Sequence, residues 1–129
     1  MGRREQIERI IVGTLLSGQD YRRDVACIPP ELIRDPLSRK AYEYALACPD
    51  AMPVNSLIRD CRGEDAALAV HAMGLSAFED FDVRRNRYNM DALTAYYLGG
   101  VVHRPTSVEF RDYVSQFIRL SYGRTGDAS

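Results

Sequence analysis

The chain has 129 residues, of which 46% are hydrophobic and 27% are charged, and its formal net charge is -1. This composition excludes an intrinsically disordered chain and predicts one domain whose core needs neither a metal nor a disulfide. The near-zero net charge disfavours a domain that binds nucleic acid mainly through electrostatic attraction.

Cysteine spacing and hydropathy indicate the compartment. The cysteines, Cys27, Cys48 and Cys61, form no CxxC pair, and together with His71 and His103 they lack the spacing of a zinc site. We therefore expect buried, reduced thiols and no metal or other cofactor. No apolar run reaches the ~20 residues of a membrane helix, and the first residues lack the apolar stretch of a signal peptide. These patterns predict a cytoplasmic protein without a membrane span.

Apolar residues at helical spacing predict a first helix over residues 5–16, which ends before Gly18. A short helical piece is expected over residues 21–26. Asp35 followed by Pro36 is typical of a helix start, because Asp caps the helix and Pro fits its first turn. The buried face of this helix is predicted to contain Leu37, Ala41, Tyr44, Ala45 and Cys48.

Two shorter helices are predicted next. Asn55 is a candidate N-cap for a helix that ends at Gly63. Its apolar side chains are Leu57, Ile58 and Cys61. Residues 65–73 are rich in alanine and predict a helix that Gly74 stops.

The end of the chain is predicted to form a helical hairpin. Asn89 can cap its first helix, and Thr106 with Glu109 fits a capping box at the start of its second helix. The stripe of the first helix contains Met90, Leu93, Tyr97 and Val101. The stripe of the second contains Phe110, Tyr113, Val114, Phe117 and Ile118.

These elements predict an all-α fold, because no convincing pair of strands is present. The chain is expected to be a single helical domain over residues 1–129, in which a bundle of about four helices precedes the hairpin. Its parts are a head over about residues 5–75, a connection over 76–88, the hairpin over 89–122 and a linker-like tail over 123–129.

The motifs of common catalytic sites are missing from the sequence. It contains no GxxxxGK[ST] phosphate loop and no GxSxG around a serine. His71 and His103 stand alone and are interpreted as structural or solvated. The acidic group Glu79, Asp80 and Asp82 lacks the pattern of a calcium-binding EF-hand loop. We expect a protein without enzymatic activity.

One local patch combines basic and aromatic residues, as binding of single-stranded nucleic acid would require. It consists of Arg84, Arg85, Arg87 and Tyr88. Three acidic residues lie shortly before it, and such neighbours more often neutralise each other. Direct contact with nucleic acid is therefore the less favoured interpretation of the patch.

Two stretches resemble the N-terminal domain of DnaB-type replicative helicases. Residues 8–16, ERIIVGTLL, match a family pattern of Glu, a polar residue, three apolar residues, Gly, a small residue and two leucines. The glycine lies inside a helix, where a close helix crossing is a physical reason to keep it. Residues 30–43, PELIRDPLSRKAYE, are similar to the family segment Pro-Glu-x-Phe-x-x-Pro-x-His-Arg-x-Ile-Phe-x. Ile33, Ser38 and Ala41 depart from that segment.

The resemblance to the helicase domain is strongest in the first half of the chain. It covers residues 8–58, fades over 64–88 and shares only a helical hairpin in outline over 89–122. It implies a non-catalytic domain that pairs through the hairpin, forms part of a collar on the helicase and docks primase or a loading factor. Three alternatives stay open: a free-standing plasmid- or phage-type helicase loader or inhibitor, the helicase-binding domain of a primase, and a small helical nucleic-acid-binding module.

The hairpin is also the predicted surface for self-association. It presents more apolar surface than one neighbouring helix can cover, and two-fold pairing of two hairpins would bury the remainder. If the head instead folds over the hairpin, the same side chains belong to the core of one chain. The candidate interface residues are Leu93, Tyr96, Tyr97, Phe110, Tyr113, Val114, Phe117 and Ile118.

Overall fold

A computed structural model describes residues 2–18, 21–61, 65–76 and 105–123. Within these ranges the chain is all-α, as predicted, and contains no strand. The α-helices are α1 (Arg3–Leu16), α2 (Pro36–Ala47), α3 (Pro53–Asp60), α4 (Ala66–Leu75) and α5 (Ser107–Ile118). Two 3-10 turns, Arg22–Val25 and Pro30–Leu32, lie between α1 and α2, and a π turn, Arg119–Gly123, follows α5.

Helix α1 lies at the centre of the fold and packs against α2, α4 and α5. Every residue from Ile10 to Leu16 is buried, including Gly13. A helix that is apolar on all sides is expected to be covered on all sides, because no face of it gains from contact with water. The predicted helix over residues 5–16 is confirmed, and it starts two residues earlier, at Arg3.

Helix α2 begins as its sequence predicts, but its buried face is partly different. The Asp35 carboxylate accepts a hydrogen bond from the Ser38 amide at 2.8 Å and caps the helix. Ala41, Ala45 and Cys48 are buried as predicted, whereas Leu37 and Tyr44 are only half-buried. Tyr42 is buried instead.

Tyr42 can be buried because its hydroxyl group has hydrogen-bond acceptors in the core. Its hydroxyl donates to the carbonyl oxygen of Ile28 at 2.7 Å and lies 3.3 Å from that of Val25. A buried tyrosine hydroxyl with such partners costs little, so the aromatic ring can fill the core. Burial also raises the pKa of Tyr42, which keeps the phenol neutral.

The predicted ends of α3 and α4 need correction. Helix α3 begins at Pro53, and Asn55 is an exposed residue inside it rather than its N-cap. Proline suits the first helical turn, since its fixed φ is helical and it has no amide hydrogen to leave unpaired. Helix α4 is capped by Asp65, whose carboxylate accepts from the Leu68 amide at 3.1 Å. Gly74 does not stop α4, because the helix continues to the buried Leu75.

Helix α5 starts with the predicted capping box. Thr106 Oγ1 accepts from the Glu109 amide at 3.2 Å, and Glu109 Oε1 accepts from the Thr106 amide at 2.9 Å. Pro105, which precedes α5, contacts the head, because its carbonyl oxygen accepts a hydrogen bond from the Tyr21 hydroxyl at 3.0 Å. The Tyr21 ring stacks on that of Phe110, with centroids 4.8 Å apart.

The predicted separation of head and hairpin does not hold for α5. Phe110, Val114 and Phe117 belong to the same hydrophobic core as the apolar side chains of α1. The helix predicted over residues 89–101 and the tail 124–129 lie outside the described residues. Helix α5 is thus part of the head.

Candidate functional site

Most of the candidate interface residues on α5 are buried within the chain itself. Phe110 and Phe117 are 0% exposed and Val114 is 7% exposed. The prediction that these three side chains pair with a second copy is therefore wrong, because α1 and its neighbours already cover them. Tyr113 and Ile118 are partly buried and pack against the same core.

Other predicted site residues lie outside the described residues. This holds for the remaining interface candidates, Leu93, Tyr96 and Tyr97. It holds equally for the basic and aromatic patch of Arg84, Arg85, Arg87 and Tyr88.

A buried ion pair on α1 was not predicted from the sequence. Arg4 and Glu8 are 8% and 3% exposed, and Arg4 Nη1 lies 3.2 Å from Glu8 Oε1. The Glu8 carboxylate also accepts hydrogen bonds from the backbone amides of Arg34, at 2.8 Å, and Asp35, at 3.4 Å. Glu8 therefore fastens α1 to the segment that leads into α2.

The arginine of this pair extends the network to α5. Arg4 Nη2 donates to the Leu32 carbonyl oxygen at 2.5 Å, and Arg4 Nε donates to Ser121 Oγ at 3.2 Å. Its guanidinium carbon lies 4.6 Å from the centroid of the Phe117 ring. All of these partners belong to the same chain. The Arg4–Glu8 ion pair therefore connects α1 with the segment before α2 and with α5 and the turn that follows it. The i,i+4 spacing of Arg and Glu was the sequence signal that could have suggested it.

A second polar cluster, consisting of Asp35, Ser38 and His71, joins α2 to α4. His71 Nε2 lies 2.8 Å from Ser38 Oγ and 3.2 Å from Asp35 Oδ2. Ser38 is fully buried, the His71 side chain is 18% exposed and the Asp35 side chain is 46% exposed. The sequence did not suggest this cluster, because His71 is 33 residues from Ser38.

These three residue types also form the catalytic triad of serine hydrolases, but their geometry here differs. In a triad, serine contacts one ring nitrogen and aspartate orients the other, so that a proton can pass through the ring. Here both oxygen atoms contact Nε2, and Ser38 has no exposure to substrate. The cluster is therefore a helix cap with an added interhelical hydrogen bond.

The pKa values of the cluster follow from its surroundings. Partial burial lowers the pKa of His71 below 6.5, an effect that Asp35 opposes and Arg9 adds to. Burial alone would raise the pKa of Asp35, but its hydrogen bonds with Ser38 and the charges of His71 and Arg9 bring it below 3.8. Both shifts favour a neutral histidine beside an ionised aspartate at neutral pH.

An open groove of 290 Å³ lies between the end of α2 and α3. Arg59 lies there within 3.8 Å of Asp50 and 3.6 Å of Asp60. Asp60 also accepts from the Tyr44 hydroxyl at 2.5 Å. One arginine thus faces two carboxylates in the groove, and these exposed pairs contribute little stability. Its lining residues are Tyr44, Ala47, Cys48, Pro49, Asp50, Arg59 and Asp60.

The outer side of α4 is apolar and exposed. Val70 is 69% exposed and Met73 is 52% exposed, one turn apart on the same helix. Ala66 and Ala67 are also exposed, and a Cβ atom built on Gly74 would meet nothing within 4 Å. The one polar side chain of α4, His71, contacts α2 instead. An exposed apolar patch without charged groups is typical of a surface that binds another protein.

The cysteines do not share one environment. Cys48 is buried as expected, Cys61 is partly buried, and Cys27 is exposed, which corrects the prediction for that residue. Across the described ranges, no three His, Cys, Asp or Glu side chains are grouped in a way that could hold a metal ion.

No helix in the described part of the chain is long and apolar enough to span a membrane. Comparison with protein-family models, curated proteins and solved structures finds no significant match to this chain.

Proposed function

We propose that this chain is a non-catalytic protein-interaction domain of the DNA replication machinery, and that it docks primase or a helicase loader. The observation that carries the proposal is the exposed apolar side of α4, where Val70 and Met73 project from a helix without a charged residue. We assign this surface to an apolar helix face of the partner, since burial of apolar area is the main favourable term in such contacts.

The assignment to replication rests on the sequence resemblance to the helicase domain. The two sequence stretches that resemble the helicase domain, residues 8–16 and 30–43, are joined by hydrogen bonds from the Arg34 and Asp35 amides to the Glu8 carboxylate. The glutamate that begins the first stretch thus contacts the segment that contains the second.

The structural use of the polar clusters supports a role without catalysis. Arg4 and Glu8 are engaged with each other and with backbone groups, and Ser38 is inaccessible. A catalytic group must reach its substrate, and these groups face other parts of the chain. The surface that we assign to the partner is instead the exposed apolar side of α4.

Binding to purified partners tests the proposal. We would titrate the chain into primase, helicase loader and hexameric helicase by calorimetry, with wild type, Val70→Glu and Val108→Glu in parallel. Val108 is the matched control, because it is 71% exposed and belongs to a different helix, α5. We expect binding to primase or loader that Val70→Glu weakens at least about tenfold, as expected for a hot-spot residue, and that Val108→Glu leaves unchanged.

Three other outcomes would count against parts of the proposal. Absence of binding by the wild-type chain to all three proteins would refute the replication role. Equal weakening by both variants would remove α4 as the docking surface. Loss of the folded state in Val70→Glu alone would show that another part of the same chain covers Val70.

A further inference from the structure

One arginine of α1 lies near the contact between α2 and α4. Arg9 is half-buried and directly follows Glu8, whose carboxylate accepts a hydrogen bond from the Asp35 amide at 3.4 Å. The Asp35 carboxylate in turn lies 3.2 Å from His71 Nε2 on α4. The positive charge of Arg9 acts on both the Asp35 carboxylate and the His71 ring, so its guanidinium is close to this contact.

His71 borders the exposed apolar side of α4. Residues three and four positions apart are neighbours on a helix, so His71 lies beside Ala67 and Gly74. Ala67 is exposed, and a Cβ atom built on Gly74 would meet nothing within 4 Å. By the same spacing, Val70 lies beside Ala67 and Gly74. Arg9 is therefore placed at one edge of the apolar side of α4.

Arg9 is the charged group at this edge that has no partner among the described residues. The Asp35 carboxylate already accepts from the Ser38 amide at 2.8 Å and contacts the histidine. The Arg9 side chain, by contrast, makes no hydrogen bond or ion pair with another described residue. Glu5 precedes it by one turn, but Glu5 Oε2 lies only 2.6 Å from where a Cβ atom on Gly2 would be, at the start of the helix. An incoming carboxylate could thus pair with Arg9 without displacing a partner within the described ranges.

We propose that the partner segment that docks on α4 is an amphipathic helix whose apolar stripe covers Val70 and Met73 and whose flank carries a Glu or Asp that pairs with Arg9. This inference rests on the proposed docking role of α4 and adds the chemistry of the partner. Because α4 contains no charged residue, the apolar contact alone favours no charge on the partner. Arg9 supplies that preference, since a guanidinium can donate two parallel hydrogen bonds to one carboxylate.

Selection from a display library of helical peptides tests the proposal without any replication protein. Each peptide has a fixed apolar stripe, and the positions beside the stripe vary among Glu, Gln and Lys. Only peptides that bind the full wild-type chain and are lost on Val70→Glu are counted. On wild type we expect Glu to be enriched at one flanking position. On Arg9→Glu we expect Lys at that position instead, because the sign of the nearby charge is reversed.

Two further variants make the selection specific. Arg111→Glu is the matched control, since it makes the same change of charge at an exposed position of a different helix, α5, and it should keep the preference for Glu. Arg9→Gln removes the charge without reversing it, and circular dichroism verifies that each variant is folded. We expect Arg9→Gln to bind a selected Glu peptide about threefold or more weakly than wild type does. It should bind that peptide and its Gln counterpart equally.

Three results would overturn the proposal. These are the absence of a charge preference on wild type, the same preference for Glu on Arg9→Glu, and an equal loss of that preference on Arg111→Glu. If no peptide sensitive to Val70→Glu is selected, α4 is not a docking surface, and the proposed function loses its site as well. If acidic peptides are selected as expected while primase and loader do not bind, the replication role fails and the docking chemistry stands.

Discussion

Residues Ile10–Leu16 of α1 and the whole of α4 are both mostly apolar, but they are buried to different extents. Over Ile10–Leu16, α1 is buried on every side, and its N-terminal charges, Arg4 and Glu8, are buried with partners from other segments. Helix α4 contains no charged residue but buries only one side, and its sole polar side chain, His71, contacts α2. The apolar character of a helix limits how much surface it can bury, whereas the neighbouring elements determine how much of that surface is buried.

The largest effect is expected where α5 covers α1. Replacing Phe117 with Ala removes a fully buried ring and should lower the free energy of unfolding by about 3–5 kcal/mol. Urea unfolding followed by circular dichroism measures this change. An effect below about 1 kcal/mol would show that α5 does not belong to the core of α1.

The buried ion pair should give the next largest effect. Glu8→Gln keeps the shape of the side chain but leaves Arg4 without its counter-charge, so we expect a loss of about 2–3 kcal/mol. The control is Glu5→Gln, an exposed position on the same helix that should change stability by less than about 0.5 kcal/mol. Equal effects of both substitutions in urea unfolding would contradict a specific role of Glu8.

Gly13 and Gly74, the described glycines within α-helices, lie in different surroundings. Gly13 in α1 is buried, so Gly13→Leu should overpack the core and cost about 1–3 kcal/mol. Gly74 in α4 faces open space, so Gly74→Ala should stabilise the chain by about 0.5–1 kcal/mol through helix propensity. Thermal unfolding of both variants measures the signs, and a stable Gly13→Leu chain would place that position at the surface.

The smallest effect is expected on the outer side of α4. Val70→Ala should change stability by less than about 0.5 kcal/mol, because the side chain is 69% exposed. Val12→Ala removes the same atoms from a fully buried site in α1 and should cost about 2 kcal/mol. If Val70→Ala costs as much as Val12→Ala in the same urea titration, the outer side of α4 is covered within the folded chain.

Local sequence signals were enough to predict where α2 and α5 begin. Asp35 with Pro36 and Thr106 with Glu109 act through atoms within three residues of each other, so the pattern contains all the partners it needs. The start of α3 was misplaced because Pro53 and Asn55 both suit a helix start, and the sequence does not rank them. The protein-interaction role and the replication partners stay predictions, since they depend on surfaces and molecules beyond the fold.

The all-α fold and the apolar stripe of α5 could be predicted from the sequence, because helical periodicity is a local property. The packing of Phe110 and Phe117 on α1 is visible only in the tertiary structure. An apolar stripe has the same sequence pattern whether its own chain or a second copy covers it. The contacts of Glu8 with Arg34, and of Ser38 with His71, likewise arise from the fold. They join residues 26 and 33 positions apart, a separation at which chain connectivity does not bring side chains together.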